Sequence, residues 1–154
     1  MRFTTHNEFS HFEFSEVHIA EIQMTTGFFT MCLDNVTILP ENSCNRDIRK
    51  MRANGLVFKI GEGRVTQLVE EGYKVYDPDG KLMRQLEDRE VLPEEYPQVA
   101  EAFADGYVYS AVQQPVDGGY RYEFVIDGTD DRTYVMTVEG IGDSEDWDRF
   151  LNPE

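Results

Sequence analysis

From Leu56 to Val138 the chain returns again and again to one arrangement: a short run alternating apolar and polar residues, then a turn. A period of two sends successive side chains to opposite faces of an extended strand, and a helix with 3.6 residues per turn cannot use it. YRYEFVI, residues 120–126, puts Tyr120, Tyr122, Phe124 and Ile126 on one face, with Arg121 and Glu123 on the other. TYVMTV, 133–138, does the same with Tyr134, Met136 and Val138. LVFKI (56–60), RVTQLV (64–69), YKVY (73–76), KLMRQL (81–86) and GYVYSAV (106–112) share the pattern. The punctuation between them is turn chemistry. In Asp77-Pro78-Asp79-Gly80 the proline presets one dihedral and the glycine accepts a positive one, so 73–86 reads as a hairpin.

The pattern also runs upstream. EFSHFEF (8–14) places Phe12 and Phe14 together, VHIAEIQM (17–24) alternates, and Thr26-Gly27 offers a turn into FFTMCL (28–33). FFTMCL is apolar on both faces, which suits a strand buried on both sides or facing a pocket. Asp34-Asn35 offers another turn, and Val36 to Leu39 form a strand stopped by Pro40.

Three segments break the rhythm and read as helices. In 43–55, Ser43 or Asn45 can cap, Asp47 suits the first turn, Ile48 and Met51 supply an apolar stripe, and Asn54-Gly55 can end it. A second helix opens at Leu92-Pro93-Glu94-Glu95, becomes regular nearer Pro97, and ends at Asp105-Gly106. A third is expected in the tail, with Ser144 as cap and Trp147, Phe150 and Leu151 at spacings of three and four. About ten short strands without a β-α rhythm predict an α+β, mostly β fold. It is an antiparallel meander coiled into a barrel or sandwich with three short helices, in one domain over 1–154.

Charge narrows the partners. The formal net charge is -16, and it is uneven: residues 1–77 hold 11 acids and 8 bases, residues 78–154 hold 19 acids and 6 bases. Such a surface repels phosphate backbones and anionic lipid, so no nucleic acid and no membrane are expected as partners. No apolar run approaches the length of a secretory leader or a membrane span. Two cysteines, Cys32 and Cys44, without a leader suggest free thiols and a cytoplasmic location.

Against that background the basic residues Arg46, Arg49 and Lys50 are a candidate anion or partner site, unless they only answer the chain's own acids. Tyr107, Tyr109, Tyr120, Tyr122 and Tyr134 are candidate ligand-binding residues, since hydroxyl-bearing rings enclosed by a barrel resemble a small-ligand pocket. The alternative for them is ordinary core and rim packing.

Other constellations are weak. His6, His11 and His18 match no metal spacing, and no metal or cofactor is expected. Cys44, near the start of the basic helix, is the better of two poor nucleophile candidates. Glu70-Glu71, Glu94-Glu95 and Asp130-Asp131 sit where turns and helix starts want acids. Asp77-Pro-Asp79-Gly80 lacks the later ligands of a calcium loop, and Gly61-Glu62-Gly63 precedes no helix that could hold phosphate.

The expectation is a non-enzymatic binding module for a small molecule or a protein partner. The alternative is a small hydrolase or isomerase using carboxylates with a His or Cys. A His sharing a pocket with Cys32 and carboxylates would favour the enzyme.

Overall fold

The computed structural model describes residues 2–25 and 27–151. In chain order the strands are β1 (Phe3–His6), β2 (Phe12–Glu13), β3 (Val17–Thr25), β4 (Phe28–Asp34), β5 (Val36–Ile38) and β6 (Met51–Ala53). They continue with β7 (Leu56–Gly61), β8 (Arg64–Glu70), β9 (Tyr73–Tyr76), β10 (Leu82–Leu86) and β11 (Arg89–Glu90). Helix α1 (Tyr96–Phe103) is followed by β12 (Tyr107–Val116), β13 (Gly119–Asp127), β14 (Thr133–Gly140) and β15 (Gly142–Trp147).

Ten strands form one antiparallel sheet in the order β1-β15-β7-β4-β3-β12-β13-β14-β8-β11. The expected mostly-β antiparallel architecture is present, with two corrections. The sheet is not closed into a barrel, because its end strands β1 and β11 do not pair with each other. The connection is a true meander only through β12, β13 and β14.

The open sheet still curls over itself. Four strands lie between β13 and β15 in sheet order, yet Tyr122 and Asp143 hydrogen-bond at 2.7 Å. The inner face carries Phe29, Met31 and Leu33 from β4, Phe58 and Ile60 from β7, and Tyr122, Phe124 and Ile126 from β13. Tyr134, Met136 and Val138 of β14 complete it, and all are buried as their alternation requires. β4 buries one face only: Phe28 is 46% exposed, correcting the two-faced reading. Each large side chain fully buried here stabilises the fold by roughly 1.5–3 kcal/mol.

Residues 8–14 are not the strand their alternation suggests. A 3-10 turn covers Phe9–His11, and only Phe12–Glu13 is extended. The segment's three rings pack into the curl instead. Phe9 meets Phe14, Phe58 and Tyr122 at 5.0–6.1 Å, and Phe12 meets the Trp147 ring edge-on at 5.8 Å.

One α-helix is present among the described residues where three were expected. The second expected helix is α1, preceded by a 3-10 turn at Pro93–Glu95, and its regular part begins at Tyr96 as Pro97 implied. Its buried side chains are Val99 and Phe103.

The basic helix over 43–55 does not form. Asn42 Oδ1 accepts the Cys44 N–H, Asn45 Oδ1 accepts that of Asp47, and Asp47 Oδ1 accepts that of Arg49. The Asn45 amide donates to the carbonyls of Ile38 and Arg49. Short polar side chains thus claim the backbone groups a helix would need. Ile48, expected to dock the helix, is 92% exposed, and Met51–Ala53 join a small sheet in the order β2-β5-β6.

The tail helix does not form either. Gly142–Trp147 is strand β15, placed between β1 and β7, and Ser144 caps nothing. Asp143, Glu145 and Trp147 alternate inward. The spacing of Trp147, Phe150 and Leu151 has another origin. Phe150 folds back on Trp147 (5.6 Å) and Phe3 (4.8 Å), and Leu151 bridges to Arg52.

The hairpin of 73–86 is real, with its turn closed by the Gly80 N–H on the Asp77 carbonyl and Gly80 at φ +83. It is not part of the ten-stranded sheet. β8 and β11 pair at the sheet's edge, and the chain between them leaves the body as a separate two-stranded arm. The expected Thr26-Gly27 turn includes Thr26, which lies outside the described residues.

Candidate functional site

The inward face of β15 holds two carboxyl side chains where the rest of the core is apolar. Asp143 is 4% exposed and Glu145 is fully buried. Asp143 Oδ1 accepts hydrogen bonds from the Tyr122 hydroxyl (2.7 Å) and the Gln113 amide (3.1 Å). Thr5 of β1 donates to Glu145 Oε1 at 2.7 Å. Burial first, and then the adjoining Asp143 carboxyl, push Glu145 well above the usual carboxylate range. Glu145, taken out of water beside a second carboxyl, keeps its proton. Burial and the Asp143 bond likewise push the Tyr122 hydroxyl up, so it stays a donor. Glycine is required beside the pair. Gly142 has φ +154, and a side chain there would strike the Asn7 amide oxygen, which accepts the Asp143 N–H at 3.1 Å.

This dyad was not among the sequence-derived candidates. The assumed tail helix hid the signal, which is the alternation of Asp143, Glu145 and Trp147 beside Gly142. Paired carboxyls with separated protonation suit acid–base chemistry. These two are sealed in the core, with Phe9 against Tyr122, so they act as an internal polar tie between β1, β13 and β15.

Nearer the surface, Glu8 is the hub of a second cluster. It accepts the Ser43 N–H (2.8 Å) and hydroxyl (2.5 Å), and its Oε1 lies 2.9 Å from His11 Nδ1. Burial pushes Glu8 up, but these bonds outweigh it and hold the carboxyl below its usual value. The serine hydroxyl is turned to the carboxylate and not to the histidine, so the three are not arranged to activate a nucleophile. His18 stands between Asp34 (3.1 Å) and Asp105 (3.2 Å). Cys32 is no activated thiol: burial, then Asp34 and Glu21, push its pKa up. Cys44, whose Sγ lies 3.8 Å from the Thr4 carbonyl, has lost the helix start that recommended it. Among the described residues no three His, Cys, Asp or Glu side chains are grouped to hold a metal.

The five tyrosines lie apart. Tyr122 and Tyr134 are buried, their hydroxyls bonded to Asp143 and Asp130, each at 2.7 Å. Tyr120 is half-buried against Tyr122. Tyr107 and Tyr109 are 50% and 57% exposed and line an open notch with Glu16 and Asp127. Of the basic residues, Arg49 is forked on Asp47 (3.0 and 3.2 Å), Lys50 pairs with Glu13 (2.8 Å), and Arg46 is exposed.

Two surface features stand out instead. A cleft of about 580 Å³ lies between the β3 end, the β8 start and α1. Met24, Val65, Pro93, Tyr96, Pro97 and Ala100 give it mostly apolar walls, and Arg64, 3.8 Å from Glu139, is its one charged lining residue. The other feature is the β9–β10 arm. Every residue of both strands is exposed. Tyr76 (56%), Leu82 (45%) and Met83 (65%) are the most open of its large apolar side chains, with Tyr73, Val75 and Leu86 nearer 40%. At its root the Gly72 N–H bonds Asp88 (2.7 Å) and the Arg132 guanidinium of the body lies over the Tyr73 ring at 5.3 Å, while Arg84 of the arm itself lies over the same ring at 5.6 Å.

The chain matches no family model and no curated protein, and no solved structure matches its fold. Among the described residues no helix is long and apolar enough to cross a membrane.

Proposed function

We propose that this protein is a non-enzymatic binding module that engages a protein partner through the β9–β10 arm. One observation carries the reading: a two-stranded ribbon with six large apolar side chains 38–65% exposed projects from a well-packed body. An isolated hairpin is marginally stable in water, and contiguous exposed apolar surface is a mark of interaction sites. Both outer edges of the ribbon also keep free backbone groups able to pair with an added strand. A small-ligand role for the tyrosines has less support, because the five do not converge on one cavity. An enzymatic role has less support too, because the one carboxyl pair with separated protonation is sealed from solvent.

The test is a photo-reactive residue at Tyr76, irradiated in cells, with Glu123 on the sheet as control position. A discrete adduct is expected from Tyr76 alone. The adduct partner, purified, should bind the wild type and not the Tyr76→Ser/Met83→Ser variant. No adduct from any arm position would refute the reading.

A further inference from the structure

We infer that the partner is a second copy of this chain, its arm seated in the cleft beside α1; this rests on the arm being a docking element. The argument is complementarity of polarity at the cleft and of net charge between arm and body, the cleft's one charged lining residue, Arg64, lying 3.8 Å from Glu139. Residues 73–86 hold three bases (Lys74, Lys81, Arg84) and two acids, so the rest of the chain carries the whole -16 and one charge more. A slightly cationic arm on a strongly anionic body is attracted to a second body of the same kind, and the attraction weakens with salt.

The cleft fits what the arm offers. Its walls are apolar, matching Tyr76, Leu82 and Met83. Its lining residue Pro97 lies between exposed Glu94 of the preceding 3-10 turn and exposed Glu101 of α1, which itself falls four residues on, on the same side of the helix. These carboxylates face what the arm's strands carry, Lys74 and Arg84. The arrangement closes on itself. Arm and cleft belong to one chain, so two copies related by a two-fold axis fill both clefts and leave neither arm bare. The apolar ribbon and the apolar groove are then the two halves of one interface.

Sedimentation velocity across a wide range of protein concentration tests this. The expected result is a reversible monomer–dimer equilibrium that weakens as salt is raised. Tyr76→Ser/Met83→Ser should weaken it by ~10-fold or more, as loss of central apolar anchors does. All these side chains are exposed, and an unchanged far-UV circular dichroism spectrum confirms that the fold is kept. Glu94→Lys/Glu101→Lys should also weaken the dimer, and adding Lys74→Glu/Arg84→Glu should restore it. A chain that stays monomeric at every concentration overturns the inference, while the arm reading falls only if Tyr76 also captures no other protein. A dimer indifferent to the arm variants overturns the inference outright. Loss on Glu94/Glu101 reversal without rescue overturns the seating in the cleft.

Discussion

Glu145 provides a quantitative test of the fold, through the pH dependence of stability. In the native state burial and Asp143 keep it protonated well above the usual range, whereas in the unfolded chain it titrates near the ordinary glutamate value of 4.5. The folded state therefore holds one more proton than the unfolded state once pH passes that value. Stability due to this group is fully present below about pH 4.5 and is lost as pH rises toward the native pKa. With up to one proton of difference and about 1.4 kcal/mol per pH unit, the loss between pH 5 and pH 7 is on the order of 2–3 kcal/mol. Glu8 and Glu95, whose carboxyls the fold holds below their usual values, act with the opposite sign at lower pH, so the windows separate. The perturbation is Glu145→Gln, which keeps an acceptor for Thr5 and a donor for Asp143 without a titrating proton. Urea unfolding at several pH values between 5 and 7 is the assay. The wild type should weaken with pH, and the variant should show a flatter profile with a lead that grows toward pH 7. Parallel profiles, or a variant that loses stability throughout, would refute the protonated-dyad account.

Two further outcomes follow from the same cluster. Tyr122→Phe conserves the ring and removes a 2.7 Å donor to the buried Asp143, so it should cost about 1–3 kcal/mol in urea unfolding at neutral pH. Gly142→Ala forces a side chain against the Asn7 amide at φ +154 and should cost about 1–3 kcal/mol, read as a lowered thermal midpoint.

Much of the sheet was legible in the sequence because period two and turn chemistry agree there. The segments around Phe124, Met136 and Phe58 form strands close to where alternation places them. What was not legible has identifiable causes. Over 43–55 the residues that can cap a helix, Asn45 and Asp47, can equally bind their own backbone in turns, and propensity does not say which wins. In β15 two carboxyls occupy inward positions, so a pattern search that counts them as polar sees no strand. Their hydrogen-bond donors are Thr5, Gln113 and Tyr122, far apart in sequence. The arm shows the reverse: its hairpin was readable from Asp77 to Gly80, but nothing local reveals that no body lies beneath it.

The place of β15 has a consequence for how the chain is assembled. Thr5 finds Glu145 across a sequence separation of 140, and β15 is the sole neighbour of β1 in the sheet. A chain emerging from the ribosome can close the β3–β4 and β12–β13–β14 hairpins as each is made, but β1 and the outer edge of β7 must wait until Gly142–Trp147 has been made. Pairings of such long sequence separation are closed late and slowly. The arrival of β15 thus zips two waiting strands onto a third, and in the same step takes a proton out of reach of water.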